Sequence, residues 1–252
     1  MAVREGDMAG EHLGAAESLS PETQRFAVEE LGRISDGLEE KSPQEMLHWA
    51  LGRFQPDVAF ACSFGAEDVA LVDMISKVDP STKVFYLDTE ALFPETYELI
   101  ERVAGRYNVE LLRAAPAITL ADQARLYGDE LWRFQPDLCC DIRKVRPLTT
   151  MLDPLDAWIT GIRREQGPTR ANTGMVEWDL KFGLVKVNPL ARWTNADVRR
   201  YIAENDVPHN PLHDRGYPSI GCTFCTRAVE PGEDLRAGRW AGTDKIECGL
   251  HR

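Results

Sequence analysis

A pattern of strand, turn and helix repeats in the first half of this chain. Residues 57–63 and 83–88 are apolar runs that predict buried strands, and each is followed by a turn and a helical segment. Residues 108–112 predict a third strand, and residues 156–161 and 184–189 predict two more. Because crossover helices join parallel strands, this spacing predicts an α/β fold with a parallel sheet flanked by helices.

Helix signals flank the predicted strands. Residues 21–34 and 43–54 have helical periodicity, and Ser42 with Glu45 forms a capping box before the second segment. Thr194 is predicted to cap a further helix, which ends before the Gly- and Pro-rich C-terminal region. These helices supply apolar faces that can cover the predicted sheet.

The chain is predicted to have three parts. Residues 1–20 are rich in Gly, Ala and Glu without periodicity, which predicts a disordered leader. Residues 21–235 are predicted to form one nucleotide-binding α/β domain, in which two cysteine pairs, 139/140 and 222/225, predict an iron–sulfur site. Residues 236–252 are predicted to form a mobile C-terminal arm with a catalytic cysteine, because chain ends are mobile.

Composition narrows the function classes. The chain has 252 residues and a formal net charge of −12, which disfavours a nucleic-acid partner because phosphates would be repelled. It lacks an apolar run of about 18 residues, and its N-terminal residues do not resemble a secretory signal. We therefore expect a cytoplasmic protein without a membrane partner, and we also expect a homo-oligomer.

The turns after the first two strands are candidate nucleotide contacts. Ser63 and Gly65 follow the first strand, and Leu87 and Thr89 lie at the end of the second. Carboxyl ends of parallel strands are where open α/β sheets bind ligands, and a helix N-terminus after a strand can receive a phosphate. An ordinary strand-to-helix turn explains the first site equally well, but two such edges side by side favour a nucleotide crevice.

Four of the six cysteines form two tight pairs, Cys139 with Cys140 and Cys222 with Cys225. A tetrahedral zinc site fits adjacent cysteines poorly, whereas a [4Fe-4S] cube has four separate corners for its thiolates. The pairs therefore favour an iron–sulfur cluster over zinc, and a disulfide is disfavoured in a reducing compartment. Cys62, in an apolar strand, is expected to be a core residue.

The remaining thiol, Cys248, lies close to the C-terminus, where it is a candidate nucleophile. Its reactivity requires a thiolate, which nearby cations would stabilise. Lys144, Arg236 and Arg239 belong to basic stretches that could supply those cations, and Arg163 follows the fourth strand. A solvated surface is the ordinary explanation for such charges, but their position beside the thiols favours an anion pocket.

The chain resembles the iron–sulfur adenylylsulfate (APS) reductases of the assimilatory sulfonucleotide reductase family. The resemblance runs from about residue 57 to residue 252. The motifs on which it rests are CCDIRKVRPL at 139–148, YPSIGCTFC at 217–225, RAGRW at 236–240 and ECGLH at 247–251. It implies an adenine-nucleotide α-hydrolase-like fold related to the PP-loop ATP pyrophosphatases.

The resemblance also implies a reaction and a set of site residues. APS would be reduced to sulfite and AMP through an S-sulfonate on Cys248, which thioredoxin or a glutaredoxin-like dithiol would then resolve. The four paired cysteines would hold a [4Fe-4S] cluster, and Lys144 would couple that cluster to the sulfate. The expected substrate contacts are Lys144, Arg236, Arg239, Ser63, Gly65, Leu87, Thr89, Gly161 and Arg163.

Other functions remain open at this point. Reduction of PAPS, the 3′-phosphorylated substrate, is the nearest alternative, although the cysteine pairs favour APS by family analogy. A PP-loop enzyme that thiolates tRNA explains the sheet and the cysteines. It would, however, need a Ser-Gly-Gly-Lys-Asp-Ser type loop, and here Phe64 and Ala66 replace the glycine and the lysine. A non-catalytic iron–sulfur sensor leaves Cys248 without a role.

Overall fold

The computed structural model describes residues 21–250 except 241, 244 and 246, with side chains described from residue 28 onward. The predicted disordered leader therefore lies outside the described residues. The described part contains a six-stranded sheet in the order β3-β2-β1-β4-β6-β5. The strands are β1 Val58–Ala61, β2 Lys83–Leu87, β3 Leu111–Ala114, β4 Ala157–Ile159, β5 Val176–Asp179 and β6 Leu184–Val187.

All neighbouring strands pair in parallel except β5, which is antiparallel to β6 at one edge. Nine α-helices accompany the described strands. They are α1 Pro21–Leu38, α2 Pro43–Phe54, α3 Ala66–Val78, α4 Pro94–Arg106, α5 Leu120–Tyr127, α6 Leu131–Phe134, α7 Pro136–Cys140, α8 Arg146–Leu152 and α9 Asn195–Glu204. A π-helical turn, Asp141–Val145, joins α7 to α8.

The sheet is buried on both faces, as its alternating residues show. Phe60 of β1 and Ile159 of β4 belong to one apolar core, together with residues of α2, α3 and α4. Their neighbours Ala59 and Trp158 belong to a second core, on the opposite face, which includes residues of α8. Alternation between two buried faces is what a sheet covered by helices requires. The predicted layered architecture is therefore confirmed.

The local signals for helix starts are also confirmed. Ser42 Oγ accepts from the backbone N–H of Glu45, whose carboxylate accepts from the Ser42 N–H at 2.8 Å. Thr194 and Asp197 form the same reciprocal pair at the start of α9. Each pair satisfies N–H groups that have no partner within their helix.

Three sequence predictions need correction. The third strand begins at Leu111 rather than at residue 108, because its register pairs Leu111 with Val84 of β2. The sequence did not predict strand β5. A short hairpin loop joins β5 to β6, so the two strands are antiparallel and the sheet is mixed. Helices α5 to α8 were also missed, since their short segments carry little periodicity.

The division into a domain at 21–235 and an arm at 236–252 stays a prediction. The described residues contain no helix that is long and apolar enough to cross a membrane.

Candidate active site

The carboxyl ends of β1, β2 and β4 open into one cavity of about 180 Å³. Ser63 follows β1, Leu87 and Thr89 lie at the end of β2, and Gly161 follows β4. All of them line this cavity, hereafter the edge cavity, together with Lys144. Residues far apart in sequence meet here because parallel strands end at the same edge of the sheet.

A second cavity, of about 520 Å³, is lined by residues of the predicted C-terminal arm and is hereafter called the arm cavity. Gly65 and Arg163 line it rather than the edge cavity, and so do Arg236, Arg239 and Cys248. Ser63 and Lys144 lie in the walls of both cavities. The structure therefore brings the expected substrate contacts to two adjoining spaces.

The first strand-to-helix turn keeps an uncommon backbone conformation at Phe64, whose φ is 59°. This left-handed region is costly for a residue with a Cβ. The Phe64 side chain is buried and packs edge-on against Tyr86, with ring centroids 5.5 Å apart. This packing offsets the backbone cost, so the turn keeps its shape although a bulky residue replaces the glycine of the related loops.

Asp68 fixes the same turn from inside the protein. Its carboxylate accepts from the Ser63 backbone N–H at 2.5 Å and from the Ser63 hydroxyl at 2.6 Å. A Cβ on Gly161 would lie 1.9 Å from Asp68 Oδ1, so this close approach requires glycine. Sequence reasoning missed Asp68, because its partners follow two different strands.

Burial raises the pKa of Asp68 from 3.8 to about 6, against the opposing effect of the Ser63 hydrogen bonds. The unfolded carboxyl loses its proton at lower pH, so the folded state loses stability as pH rises from about 4 to 6. Above that window the penalty is fully present. We therefore expect Asp68→Asn to stabilise the protein at pH 7.5 by about 1–3 kcal/mol, an advantage that disappears near pH 4.

Urea unfolding of Asp68→Asn and wild type at both pH values measures this difference. Asp206→Asn is the matched control, because the Asp206 side chain is 96% exposed and its surface ion pair contributes little. A variant that is less stable than wild type at pH 7.5 would contradict the assignment.

The Arg163 guanidinium is paired with groups of the protein itself. Nε donates to Glu67 at 2.9 Å, and Nη1 donates to Glu165 at 3.0 Å and to the Trp193 carbonyl at 3.1 Å. Its side chain is only 3% exposed. These contacts show Arg163 supporting the cavity wall, and its predicted contact with a nucleotide stays a prediction.

The four paired cysteines line a third cavity, hereafter the cysteine cavity. Cys139 and Cys140 end α7, whereas Cys222 precedes a single 3₁₀ turn that ends at Cys225. Polar side chains contact two of the sulfurs: Thr89 Oγ1 lies 3.3 Å from Cys222 Sγ, and Gln123 Nε2 lies 3.7 Å from Cys139 Sγ. The fold thus unites the two cysteine motifs, whose members are all free thiols.

Three thiols of the cysteine cavity, those of Cys139, Cys140 and Cys225, have a raised pKa. Burial, with a contribution from neighbouring sulfurs, raises the pKa of Cys139 to about 11 and that of Cys225 to about 12. Burial also raises the pKa of Cys140. Ligation by a metal requires thiolates, so cation binding here would release protons.

The donor set of the cysteine cavity fits an iron–sulfur cluster. Four thiols from two segments line this one cavity, which matches the four thiolate ligands of a cube-shaped cluster. Arg143 Nη2 and Arg239 Nε are buried without a hydrogen-bond partner in that part of the chain, and both residues line the cavity. A cluster with thiolate ligands is negatively charged and offers sulfur acceptors to such donors.

Lys144 lies where the three cavities meet, since it lines each of them. Burial disfavours its charge, but the sulfurs of Cys222, Cys248 and Cys140 outweigh this effect and raise the pKa of Lys144. Lys144 therefore keeps its positive charge at neutral pH. It can act on an anion in the edge or arm cavity and on sulfurs of the cysteine cavity.

Arg236 and Arg239 bring further positive charge to the arm cavity. The Arg239 guanidinium lies 4.6 Å from the Trp240 ring centroid, and its Nη1 donates to Ser219 Oγ at 3.0 Å. Burial and the nearby Arg170 lower the pKa of Arg236 to about 10, which still leaves it charged at neutral pH. Two fixed guanidinium groups can bind the oxygens of a sulfate or phosphate.

Cys248 is buried at this junction, with 9% of its surface exposed. The thiol packs with Cys140 and Trp240. Its neighbour Glu247 is ion-paired to Arg170 and Arg236. The structure thus brings Cys248 together with Lys144, Arg236 and Arg239, as the sequence predicted, and adds Arg170 and Glu247.

Fold and cavities together define a nucleotide-binding α/β protein with several cysteines near the carboxyl edge of its sheet. The phosphoadenosine phosphosulfate reductase domain matches residues 57–228. The chain belongs to this family. This confirms the resemblance.

Named relatives share most of this chain. An adenosine 5′-phosphosulfate reductase of Shouchella clausii is 50% identical over 220 residues, which cover 87% of this chain and 91% of the relative. Adenosine 5′-phosphosulfate reductase 1 of Bacillus subtilis is 48% identical and covers 84% of this chain and 91% of its own.

Solved structures give the same fold. A phosphoadenylyl-sulfate reductase from Candida auris, in a phosphate complex, superposes with a TM-score of 0.72 at 35% identity, covering 79% of this chain and 97% of the other. Yeast FAD synthetase superposes with a TM-score of 0.53 at 14% identity, covering 81% and 76%, and shows the nucleotide-binding fold alone. The predicted PP-loop-related fold is confirmed.

Proposed function

We propose that this protein reduces adenosine 5′-phosphosulfate to sulfite and AMP in sulfate assimilation. The observation that carries the proposal is the position of Lys144, which borders the edge, arm and cysteine cavities at once. Cys248 shares the arm cavity with Arg236 and Arg239. A proposed nucleophilic thiol and three cations thus surround one space beside the edge cavity.

In the first step the Cys248 thiolate attacks the sulfur of the substrate. A bond forms between the two sulfur atoms, the bond from sulfur to the phosphate oxygen breaks, and AMP leaves with that electron pair. Lys144, Arg236 and Arg239 hold the sulfate oxygens and spread their charge during transfer. The enzyme then carries an S-sulfonate on Cys248.

In the second step a dithiol reductant of the thioredoxin or glutaredoxin type releases the product. Its thiolate attacks the Cys248 sulfur, sulfite leaves with the bonding electron pair, and a mixed disulfide remains. The second thiol of the reductant resolves that disulfide and regenerates Cys248. The reductant becomes oxidised and supplies both electrons.

Ser63, Gly65, Leu87, Thr89, Gly161 and Arg163 form the proposed nucleotide side of the site. Four of these residues are small, namely Ser63, Gly65, Thr89 and Gly161, so the backbone at the strand ends is accessible to an adenosine. Ser63 is held by Asp68, and Arg163 is held by Glu67. Both therefore act on the nucleotide from fixed positions.

The proposed ligands of a [4Fe-4S] cluster are Cys139, Cys140, Cys222 and Cys225. When bound, the cluster would tie α7 to the segment around residue 222 and add a polarisable negative group beside Lys144. Lys144 in turn holds a proton between those sulfurs and the arm cavity. This placement is consistent with a structural and electrostatic role, since the dithiol supplies the electrons.

Removal of one proposed ligand should abolish cluster binding. We expect anaerobically purified wild type to hold about four iron and four sulfide per chain, and Cys222→Ser to lose most of both. Iron, sulfide and visible absorption measure this result. Cys62→Ala, which removes a buried thiol directly after β1, is the matched control and should retain the iron. Stoichiometric zinc in place of iron would contradict the assignment.

The substrate assignment favours APS over its 3′-phosphorylated form. The bacterial relatives at about half identity carry the name adenosine 5′-phosphosulfate reductase, whereas the solved relative from Candida auris is a phosphoadenylyl-sulfate reductase at 35% identity. Sulfite and AMP release from APS and PAPS, with thioredoxin present, tests the choice. We expect kcat/KM for APS to be at least about a hundredfold higher. A preference for PAPS would overturn the substrate, and AMP release without sulfite would overturn the reaction.

A further inference from the structure

The carboxylate of Glu247 is buried among cationic and polar side chains. Oε1 accepts from Arg170 Nε at 3.1 Å and from Thr169 Oγ1 at 3.3 Å. Oε2 accepts from Arg170 Nη2 at 3.1 Å and from Arg236 Nη2 at 2.9 Å. The Glu247 side chain is 6% exposed. Both carboxylate oxygens thus accept two hydrogen bonds each, and Arg170 forms a bidentate contact with them.

The charges at this contact depend on one another. Burial disfavours the ionised carboxylate, but the hydrogen bond and charge of Arg170, with help from Arg236, lower the pKa of Glu247. Arg170 in turn lowers the pKa of Arg236, because the two buried cations repel each other. Glu247 is the negative charge that lies between them.

Arg170 is held in place independently of the tail. Its Nη1 donates to Gln166 Oε1 at 2.6 Å, and Gln166 Nε2 donates to Glu67 at 3.0 Å. Both Gln166 and Arg170 line the edge cavity and the arm cavity. The tail therefore docks on a guanidinium that the cavity wall has already oriented.

We infer that Glu247 is the positioning residue that seats Cys248 at the reaction site, by closing a clamp between Arg170 and Arg236. Glu247 precedes Cys248 directly, and on the other side Lys181 Nζ donates to the Gly249 carbonyl at 2.5 Å. The clamp fixes the nucleophile from its N-terminal side within reach of Lys144. In this account Arg236 both pairs with Glu247 of the tail and contacts the sulfate of the substrate. The inference rests on the proposed function only for the reactivity of Cys248.

Opening of the clamp is measurable without turnover. Lys245, whose side chain is 4% exposed, is a trypsin site that becomes cleavable when the tail leaves the protein. We expect Glu247→Gln to lose residues 246–252 to trypsin at least about tenfold faster than wild type, because two buried cations then face each other unneutralised. Intact-protein mass spectrometry follows the loss.

Three further variants make the test specific. Arg170→Lys keeps the positive charge but loses the bidentate contact of the guanidinium. It should accelerate tryptic cleavage about as much as Glu247→Gln does. The double variant should be no faster than the faster single variant, because both break one clamp. Glu233→Gln is the matched control: Glu233 makes a comparable contact with Arg227, at 2.8 Å for both pairs of atoms, away from the cavities. It should be cleaved at the wild-type rate.

The same variants connect the clamp to the chemistry. At saturating APS without reductant, Glu247→Gln should form the Cys248 adduct about tenfold more slowly, with a half-saturating concentration within about threefold of wild type. Wild-type cleavage or adduct rates in this variant would overturn the clamp. If wild type itself forms no adduct, the proposed function fails, and the cleavage rates alone decide whether the clamp exists.

Discussion

Replacement of Cys248 by serine should lower sulfite release at least about a thousandfold, since a hydroxyl cannot replace the thiolate as nucleophile. Cys248 is the thiol that shares the arm cavity with Lys144, Arg236 and Arg239. The measurement is sulfite and AMP release from APS with excess thioredoxin. Because the variant changes one atom at a site packed with Cys140 and Trp240, folding should be unaffected.

The internal controls for Cys248→Ser separate chemistry from assembly. Iron content, visible absorption and AMP affinity should match wild type, because the cysteine cavity and the edge cavity remain intact. Residual sulfite release within tenfold of wild type would contradict the role of Cys248. Loss of iron together with activity would instead give this residue a part in cluster binding.

Lys144→Met should lower the rate of S-sulfonate formation about 100- to 1000-fold, the effect of removing one cation from developing negative charge in a buried site. Methionine keeps the length of the side chain and its apolar contacts. The iron content should remain near the wild-type value, because Lys144 is not one of the proposed ligands. Rapid-quench measurement of the Cys248 adduct at saturating APS gives the rate directly.

Lys41→Met is the matched control for this variant. Lys41 forms an exposed i,i+4 pair with Glu45, far in sequence from every proposed contact. It should react at the wild-type rate. If Lys144→Met reacts at a rate within about threefold of wild type, Lys144 does not stabilise the transition state. The junction of the three cavities would then need another explanation.

Much of the sheet was predictable because its signals are local. Strands such as β1 and β4 are continuous apolar runs, and Ser42 and Thr194 mark helix starts within four residues of sequence. The meeting of Ser63, Thr89 and Gly161 was also predictable, since parallel strands end at one edge. Strand β5 was not, because its burial comes from pairing with β6 rather than from its own composition.

The support of the site was harder to predict than its reactive groups. Arg170 and Glu247 are 77 residues apart, and neither lies in a spacing that indicates a contact. Asp68 looks like an ordinary acidic residue of a helix start, yet it fixes Ser63 and requires glycine at position 161. Such pairs depend on how the elements pack, and the sequence shows only that charged residues are present.

Transfer of a sulfonate to Cys248 is the central claim, and intact-protein mass spectrometry tests it most directly. The protein is incubated anaerobically with APS and no reductant, and the product is digested with trypsin. We predict an added SO₃ group on the peptide that follows Lys245, which thioredoxin then removes. An unmodified chain that holds its full iron and sulfide, or an adduct on any other residue, would contradict the account.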